Sequence, residues 1–310
     1  MPQWAGSSWY FLRYVDNKND KELVSKEKAD KYLPVDMYIG GVEHAVLHLL
    51  YARFWTKFLY DIGVVSFEEP FTKLFNQGMI TGKNGTKMSK SKGNVISPDD
   101  LVRDYGCDSL RLYELFVGPP ELDSEWDDRG IDGVYRFIVK LWKLVMDHKD
   151  DGAKETDEIL RERNRLIYDI TKRLESFSLN TVVSGFMEHL NSLSAMAKDK
   201  KVDVATMEAY VRLLAPFAPH ISEELFHALG NEMSVFASGW PIYDESLMEE
   251  DVVEIAVQTN GKVRCTIKIS KDADKDEAIS AAKEALKDRL SGNIVKEIYV
   301  PGRIVNIVVK

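Results

Sequence analysis

Three hydrophobic patterns follow one another along the chain. In the first, a short apolar run over 35–41 ends in two glycines and leads into a mostly apolar stretch over 42–63. The run predicts a short buried strand, and the stretch predicts a largely buried helix that ends at Gly63. Because a strand, a glycine turn and a helix form the unit of an α/β sheet, we expect a ligand near this turn.

The second pattern has helical spacing and runs from residue 97 to about residue 229, with a break at 118–126. Ser97, Pro98 and two aspartates give a strong helix start in this segment. Further apolar residues at helical spacing occupy 133–148, 157–177, 179–197 and 204–230. We expect Pro216 and Pro219 to divide the last of these helices, and the region from about 127 to 229 to form a helical bundle.

The third pattern follows a linker at 238–251 and combines strands with one helix. Its first two strands, 252–259 and 262–270, flank Asn260–Gly261, which is a strong hairpin signal. An amphipathic helix at 274–292 and two strands at 295–300 and 303–310 complete a predicted ββαββ domain.

The composition is ordinary for a soluble globular protein and limits the kinds of site. The 310 residues allow two or three domains, and no run approaches the ~18–20 apolar residues of a membrane helix. Cys107 and Cys265 are far apart, which argues against a disulfide framework or zinc ribbon and favours the cytoplasm. The net charge of −9 means that contacts with nucleic acid must come from local patches.

One basic patch is the loop over 81–94, which contains Lys83, Lys87, Lys90 and Lys92 and no acidic residue. Lysine ammonium groups on a loop can follow phosphates whose charge shifts during a reaction, and so stabilise a transition state. The P-loop template fails because Lys87 is followed by Met88. Composition alone leaves a solvated surface loop equally compatible with this pattern.

The string KMSKS at 87–91 matches the second signature of class I aminoacyl-tRNA synthetases. Around it, four segments resemble the leucyl-tRNA synthetase family in order and spacing, and SSWYFLRY at 7–14 favours this family over its isoleucyl and valyl relatives. These segments are 37–63, 69–80, 87–116 and 213–230. The resemblance covers essentially the whole chain.

The resemblance implies a multidomain α/β plus α protein. Residues 1–80 would form part of a class I nucleotide-binding, Rossmann-like domain, and 81–126 would carry the KMSKS loop and a segment that contacts the tRNA stem. A helical bundle of the anticodon-binding type would occupy 127–237. The ββαββ domain at 251–310 would contact the outer corner of tRNA.

The resemblance also implies the residues that bind ATP. Lys90 would be the main catalytic lysine on the phosphates and Lys87 would assist it, while Met79 and Ile80 would hold adenine through backbone groups. The full implied set is Gly40, Gly41, Glu43, His44, Met79, Ile80, Lys87, Met88, Ser89, Lys90 and Ser91. ATP with Mg²⁺ would be a substrate, with no resident cofactor or metal.

Two further sets follow from the resemblance. The leucine pocket would be formed by Trp4, Ser7, Tyr10, His44 and His48. The candidate tRNA contacts are Lys92, Arg103, Arg111, Lys262 and Arg264. From the residues alone, the first set is equally a buried aromatic patch with core histidines, and the second is equally surface charge. The order EHxxxH, without a third ligand, does not match a zinc site.

The first class I signature, HxGH, is not found in the sequence, nor is an editing domain. The chain therefore resembles the C-terminal portion of a leucine–tRNA ligase, inactive alone and partnered by the missing N-terminal catalytic half, tRNA(Leu), leucine and ATP, without a membrane. An expressed fragment and a natural split subunit both remain open. The alternatives are a non-catalytic tRNA-binding module and a sibling isoleucyl- or valyl-type synthetase.

We predict that residues 1–60 in isolation expose apolar surface and are either disordered or self-associated, because half of the expected sheet is absent from this sequence. Light scattering at increasing protein concentration should show oligomers, and hydrogen exchange should be fast in this segment. A monomer with a fully protected N-terminal segment would contradict the prediction.

Overall fold

The structure, a computed structural model, describes residues 4–82, 85–248, 252–270, 273–287 and 292–310. These residues belong to two compact units. The larger unit comprises 1–159 and 166–242, and the smaller unit comprises 160–165 and 243–310.

The N-terminal part of the larger unit is built on two pairs of parallel strands. Strand β1 (Tyr38–Gly41) pairs with β2 (Leu74–Gln77), and β3 (Ile80–Thr81) pairs with β4 (Ser124–Glu125). Helices α1 (Tyr10–Val15), α2 (Lys26–Tyr32) and α3 (His48–Asp61) accompany them. The core of this region contains Phe11, Leu12, Val24, Ala29, Leu33, Ala52, Leu59 and Val65.

The segment 42–63 differs from the predicted single buried helix. Val42–Val46 is a 3₁₀ helix, and Leu47 has a non-helical backbone (φ −113°, ψ −103°) before α3 begins. The spacing of His44 and His48 predicted that both lie on one face of a single helix. This prediction is wrong, because His44 lies in the 3₁₀ helix and His48 begins α3. A single non-helical residue leaves no trace in the hydrophobic period, so the sequence pattern did not reveal the break.

The prediction of burial for this segment and for β1 is also wrong. The face of α3 that includes Ala52 and Leu59 is buried, but Val46 is 76% exposed and Ile39 of β1 is 48% exposed. The other exposed apolar residues of 42–63 are Val42, Leu50, Phe54, Phe58, Tyr60 and Ile62. The predicted exposure of apolar surface within residues 1–60 is thus present, whereas self-association stays a prediction.

Two helices, rather than one, follow the lysine-rich loop. Helix α4 (Pro98–Tyr105) ends at Gly106, and α5 (Cys107–Phe116) begins directly after it. Gly106 has a φ of +85°, a conformation that side-chain-bearing residues rarely adopt. Ser97 lies at the predicted N-cap position of α4, although its side chain makes no capping hydrogen bond.

The predicted helical bundle is confirmed. It consists of α6 (Gly130–His148), α7 (Asp157–Glu175), α8 (Leu179–Ala197), α9 (Val204–Leu214) and α10 (Pro219–Ala228). The chain leaves the helical path between Leu214 and Pro219, where the two prolines predicted a division.

The smaller unit contains the predicted ββαββ arrangement. Its four-stranded sheet has the order β6-β5-β8-β7, and its strands are β5 (Val252–Thr259), β6 (Lys262–Ser270), β7 (Ile294–Val300) and β8 (Ile304–Val309). Asn260 and Gly261 form the hairpin turn with φ values of 50° and 78°, as the sequence predicted. Helix α11 (Lys275–Ala285) is shorter than predicted, and residues 288–291 of the predicted helix lie outside the described residues.

No helix within the described ranges has the length and apolar character needed to cross a membrane. Cys107 and Cys265 are both free.

Asp203 caps helix α9, and its removal should destabilise the bundle. Its carboxylate accepts a hydrogen bond from the Thr206 N–H at 3.0 Å, and the residue is buried. We predict that Asp203→Ala lowers the free energy of unfolding by about 1–2 kcal/mol, measured by urea denaturation. Asp203→Asn keeps the acceptor and should cost much less, so an equal loss in both variants would contradict the capping role.

Candidate active site

A cleft opens at the carboxyl ends of the parallel strands β1 and β2. It has a volume of about 650 Å³, and its lining includes Gly41, Glu43, Gln77, Met79 and Ile80. Ligands of open parallel sheets usually bind at such an edge, because the loops that follow the strands converge there. The structure thus brings together four of the residues predicted to bind ATP, namely Gly41, Glu43, Met79 and Ile80.

The backbone around Met79 limits how adenine could be held. The Met79 N–H donates to Asp123 Oδ1 at 2.7 Å, and the Met79 carbonyl accepts from the Ser124 N–H at 3.0 Å. In the parallel register Ile80 lies opposite Ser124, so the N–H and C=O of Ile80 face away from β4. Of the two predicted residues, Ile80 is therefore the one whose backbone groups are directed away from this strand.

A second cavity of about 220 Å³ adjoins this cleft and is lined in part by Gly40, Gly41, Tyr38, His44 and His48. Two of the predicted pocket residues, Trp4 and Tyr10, pack beside its histidines without lining it. The Trp4 and His44 rings pack edge-to-face with their centroids 5.6 Å apart, and the centroids of the Tyr10 and His48 rings are 6.2 Å apart. Ser7, the remaining predicted pocket residue, donates its hydroxyl to the Trp4 carbonyl at 3.2 Å.

A chain of hydrogen bonds ends on His48. Tyr10 and Tyr38 share a hydrogen bond of 2.8 Å between their hydroxyls, and the Tyr38 hydroxyl lies 2.5 Å from His48 Nε2. Burial, with the neighbouring Tyr10 hydroxyl, raises the pKa of Tyr38. Burial and the neighbouring His44 lower the pKa of His48, which is only 7% exposed. His48 is therefore a neutral ring at neutral pH.

Three buried nitrogens in this region have no hydrogen-bond partner among the described residues. They are Trp4 Nε1, His44 Nδ1 and His48 Nδ1. Buried polar groups normally have a partner, and exceptions cluster at functional sites. Two of the three belong to His44 and His48, which line the second cavity.

The lysine-rich loop is held by Asn94. Asn94 Oδ1 accepts from the Ser89 N–H at 2.9 Å, and Asn94 Nδ2 donates to the Lys87 carbonyl at 3.3 Å and Thr86 Oγ1 at 3.4 Å. Lys90 starts a short 3₁₀ turn, Lys90–Lys92. The Asn94 amide therefore fixes the backbone that carries Lys87 and Ser89.

The structure does not bring the loop lysines into either cavity. Lys87, Lys90 and Ser91 are exposed, Met88 and Ser89 are half-buried, and none of the five lines either cavity. Lys83 lies outside the described residues. The predicted adenosine residues and the predicted phosphate residues are consequently separate in this conformation.

The candidate tRNA contacts fall into different settings. Lys92 is exposed on the loop, and Arg103 is exposed but paired with Asp100 and Asp104 on its own helix at 2.8 and 2.9 Å. Arg111 donates to the carbonyls of Pro216 and Phe217 at 3.0 and 3.3 Å. Lys262 and Arg264 lie on β6 of the smaller unit. Their contacts with RNA stay predictions.

Sequence reasoning missed Tyr38, Asn94 and Asp123. Asn94 is the last residue of the basic loop, but nothing in its spacing shows that its side chain folds back on Ser89. Asp123 lies 44 positions from the backbone group it binds, so no local pattern could have connected them. Within the described ranges, no three His, Cys, Asp or Glu side chains are grouped to hold a metal ion.

The environments of His48 and His227 predict opposite shifts in titration. A hydrogen bond with the Asn231 carbonyl and the nearby Glu223 raise the pKa of His227. Proton NMR should show His48 titrating below, and His227 above, the ordinary histidine value of about 6.5. Because the pKa of His48 is lower in the folded protein, the unfolded chain binds a proton at this residue more readily. The contribution of His48 to the free energy of unfolding is therefore fully present above pH ~6.5 and is lost as the pH falls from there through the folded pKa. Titration of His48 above His227 would contradict this description.

Two family models match the chain. The model for tRNA synthetases class I (I, L, M and V) matches residues 13–127, and the model for the anticodon-binding domain of tRNA ligase matches residues 157–279.

Two solved structures are similar to the chain. LeuRS agnB2 of Agrobacterium radiobacter K84, in a ternary complex with tRNA and LeuAMS, is 35% identical with a TM-score of 0.77. That match covers 98% of this chain and 41% of the other, so the chain spans less than half the length of that enzyme. Methionyl-tRNA synthetase of Mycobacterium tuberculosis, bound by methionyl-adenylate, is 18% identical over 74% of this chain and 51% of the other, with a TM-score of 0.58. The second likeness concerns the fold alone.

These matches confirm the predicted fold class, a partial Rossmann-like α/β domain followed by a helical region of the anticodon-binding type. Taken together, the two family models span most of the sequence, and the chain belongs to the class I tRNA synthetases.

Proposed function

We propose that the chain is the KMSKS-bearing and tRNA-binding portion of a leucine–tRNA ligase. The reaction activates leucine with ATP to leucyl-adenylate and transfers leucine to tRNA(Leu) during protein synthesis in the cytoplasm. The observation that carries the proposal is the 35% identity to LeuRS over 98% of the chain. The amino acid is the finer part of the proposal, since the matched family model covers four specificities.

The cleft at the ends of β1 and β2 supports ATP as the ligand. Gly41, the last residue of β1, has no side chain and so allows a ligand to approach the backbone closely. Glu43 offers an exposed carboxylate for ribose hydroxyls, and Ile80 offers backbone groups for adenine. Mg²⁺ would arrive with the triphosphate as part of the substrate. In this assignment Asp123 is a positioning residue, because its carboxylate binds the Met79 N–H and so fixes the backbone that leads into Ile80.

Lys87 and Lys90 would act on the phosphates, and Lys90 would carry the larger share. Both are exposed and lie outside the cleft, so the loop must move towards ATP for the lysines to act. Such a movement concentrates their charge on the transition state instead of the ground state. Asn94, which holds the loop backbone in its present conformation, would release or re-form its hydrogen bonds during that movement.

The second cavity supports a small amino acid with an apolar side chain. Its wall combines apolar Ile39, Leu49 and Leu74 with Gly40 and Gly41 and with four polar side chains, those of Tyr38, His44, His48 and Gln77. No Asp, Glu, Lys or Arg is among these lining residues, which favours leucine over a charged side chain, because burial of an unpaired charge is costly. The adjoining ATP cleft would place the carboxylate of the amino acid near the α-phosphate.

The two alternatives predict different behaviour. A non-catalytic RNA-binding module has no use for both Glu43 in the cleft and the KMSKS lysines, so their joint presence favours an enzyme portion. A sibling isoleucyl or valyl enzyme would have the same cleft and differ in the amino acid accepted.

Amino-acid-dependent ATP–pyrophosphate exchange tests the proposal. The chain should be inactive alone and should become active with leucine, but not with isoleucine, valine or methionine, when the N-terminal part of a leucyl-tRNA synthetase is supplied in trans. The chain alone should bind a leucine tRNA transcript. No rescue by any N-terminal part would refute the enzyme portion, and preference for another amino acid would refute leucine.

Lys90→Ala in the reconstituted enzyme should lower the exchange rate by about 10²-fold, typical of a group that stabilises charge in the transition state. Leucine binding should change far less, because the lysine acts on phosphates. Lys18→Ala is the matched control, since Lys18 is exposed and lines neither cavity. Equal losses of binding and exchange in Lys90→Ala would contradict a transition-state role.

A further inference from the structure

The turn between α9 and α10 satisfies only part of its own backbone, through bonds such as those from the Phe217 and Ala218 N–H groups to the Leu214 carbonyl. Helix α10 begins with Pro219 after Ala218, whose methyl group offers no capping acceptor. In a continuous helix the Ile221 N–H would donate to the Phe217 carbonyl, four residues earlier. That bond is replaced here, because both groups have partners on another helix.

The partners are Asp108 and Arg111 of α5. Asp108 Oδ2 accepts from the Ile221 N–H at 2.7 Å, and Asp108 Oδ1 lies 2.8 Å from His220 Nδ1. Arg111 donates from Nη2 to the Pro216 carbonyl at 3.0 Å and from Nε to the Phe217 carbonyl at 3.3 Å. The carboxylate thus meets the N-terminal donors of α10, and the guanidinium meets the carbonyls of the turn.

The geometry of α5 suits this double contact. Residues three apart lie on the same face of a helix, so Asp108 and Arg111 reach the turn from one side. A negative charge at a helix N-terminus and a positive charge on unsatisfied carbonyls are both favourable. Asp108 is only 7% exposed, which strengthens its hydrogen bonds relative to those of a surface carboxylate. We call Asp108 and Arg111 the α5 clamp.

The α5 clamp lies close along the chain to the lysine-rich loop. The residue that holds the loop, Asn94, is followed by Val95–Ser97 and then directly by α4. Helix α4 ends at Gly106, and Asp108 is the second residue of α5. Tyr105, the last residue of α4, also meets Tyr135 of α6 edge-on at 5.9 Å. Chain continuity through α4 and α5, together with this ring contact, therefore connects the loop to the bundle.

We propose that Asp108 and Arg111 are positioning residues that couple the helical bundle to the loop carrying Lys87 and Lys90. RNA bound to the bundle would act through the α5 clamp on the α9–α10 turn and bias the conformation of the loop. The inference rests on the proposed function, because it takes tRNA as the ligand of the bundle. It also gives Arg111 a role other than the direct tRNA contact predicted from the sequence.

The test measures the loop while RNA binds the full chain. An amine-reactive acetylating reagent labels Lys87 and Lys90, and mass spectrometry gives the labelling rate of each with and without a leucine tRNA transcript. In the wild-type chain, tRNA should change the Lys90 rate by about fivefold or more, the lower end of ordinary coupling between sites. In Arg111→Met and Asp108→Asn the change should fall below about twofold, with tRNA still bound.

Arg212→Met is the matched control. Arg212 also donates to two backbone carbonyls, those of Ser238 and Gly239, but these belong to the linker after the bundle and not to the α9–α10 turn that the α5 clamp binds. Arg212→Met should keep the full tRNA-dependent change in the Lys90 labelling rate. If the loss of any arginine–carbonyl contact were enough to remove that change, Arg212→Met would remove it too. Arg111→Met still tests the inference if Asp108→Asn unfolds, because Arg111 is exposed and its replacement should leave the fold intact. The circular dichroism spectrum of the Arg111→Met variant should therefore match that of the wild type.

The outcomes separate the inference from the proposed function. If the wild type binds tRNA and the α5-clamp variants keep the same labelling change, direct contact between RNA and the loop explains the effect and the inference is overturned. If tRNA binds Arg111→Met far more weakly, Arg111 is an RNA contact and the inference is likewise overturned. If the wild-type chain does not bind tRNA, the proposed function fails and the inference fails with it.

Discussion

The parallel pairing of β1 with β2 is the constraint on which the candidate site depends. Its register places Gly41 opposite Gln77, so the two strands end at one edge and the loops that follow them enclose a common cleft. Glu43 and the Met79–Ile80 pair enter the cleft from those two loops. A slip of one residue would send alternate side chains to the opposite face and separate these groups.

Hydrogen bonds from distant residues then give this framework its detail. Asp123 fixes Met79, Tyr38 connects Tyr10 to His48, and Asn94 holds the loop backbone at Lys87 and Ser89. Each is a polar group that satisfies a backbone or ring atom, and such bonds specify position more than they add stability. The network does not extend to Trp4 Nε1, His44 Nδ1 and His48 Nδ1, which are buried and have no hydrogen-bond partner among the described residues.

The helical bundle was predicted correctly from the sequence, whereas the arrangement of His44 and His48 was not. Proline positions and helical spacing were enough to predict five bundle helices and the division near Pro216 and Pro219, because these effects are local. The spacing of His44 and His48 predicted one helix face and was wrong, since Leu47 interrupts the helix between them. Their rings nevertheless meet at 6.3 Å, a contact made by the packing and not by helical periodicity.

By itself, the sequence determined the helices of the bundle, the ββαββ order of the smaller unit, the hairpin at Asn260–Gly261 and, through its motifs, the family, while the residues of the ATP site stay a prediction. These are properties of local pattern and short strings, which need no knowledge of distant contacts. Only the tertiary structure decided that Leu47 interrupts the helix before His48, that Asn94 folds onto the KMSKS backbone, and that Asp108 and Arg111 bind a turn more than a hundred residues away. The physical reason is that burial and long-range hydrogen bonds depend on which elements meet in space, and residue spacing along the chain does not encode that information directly.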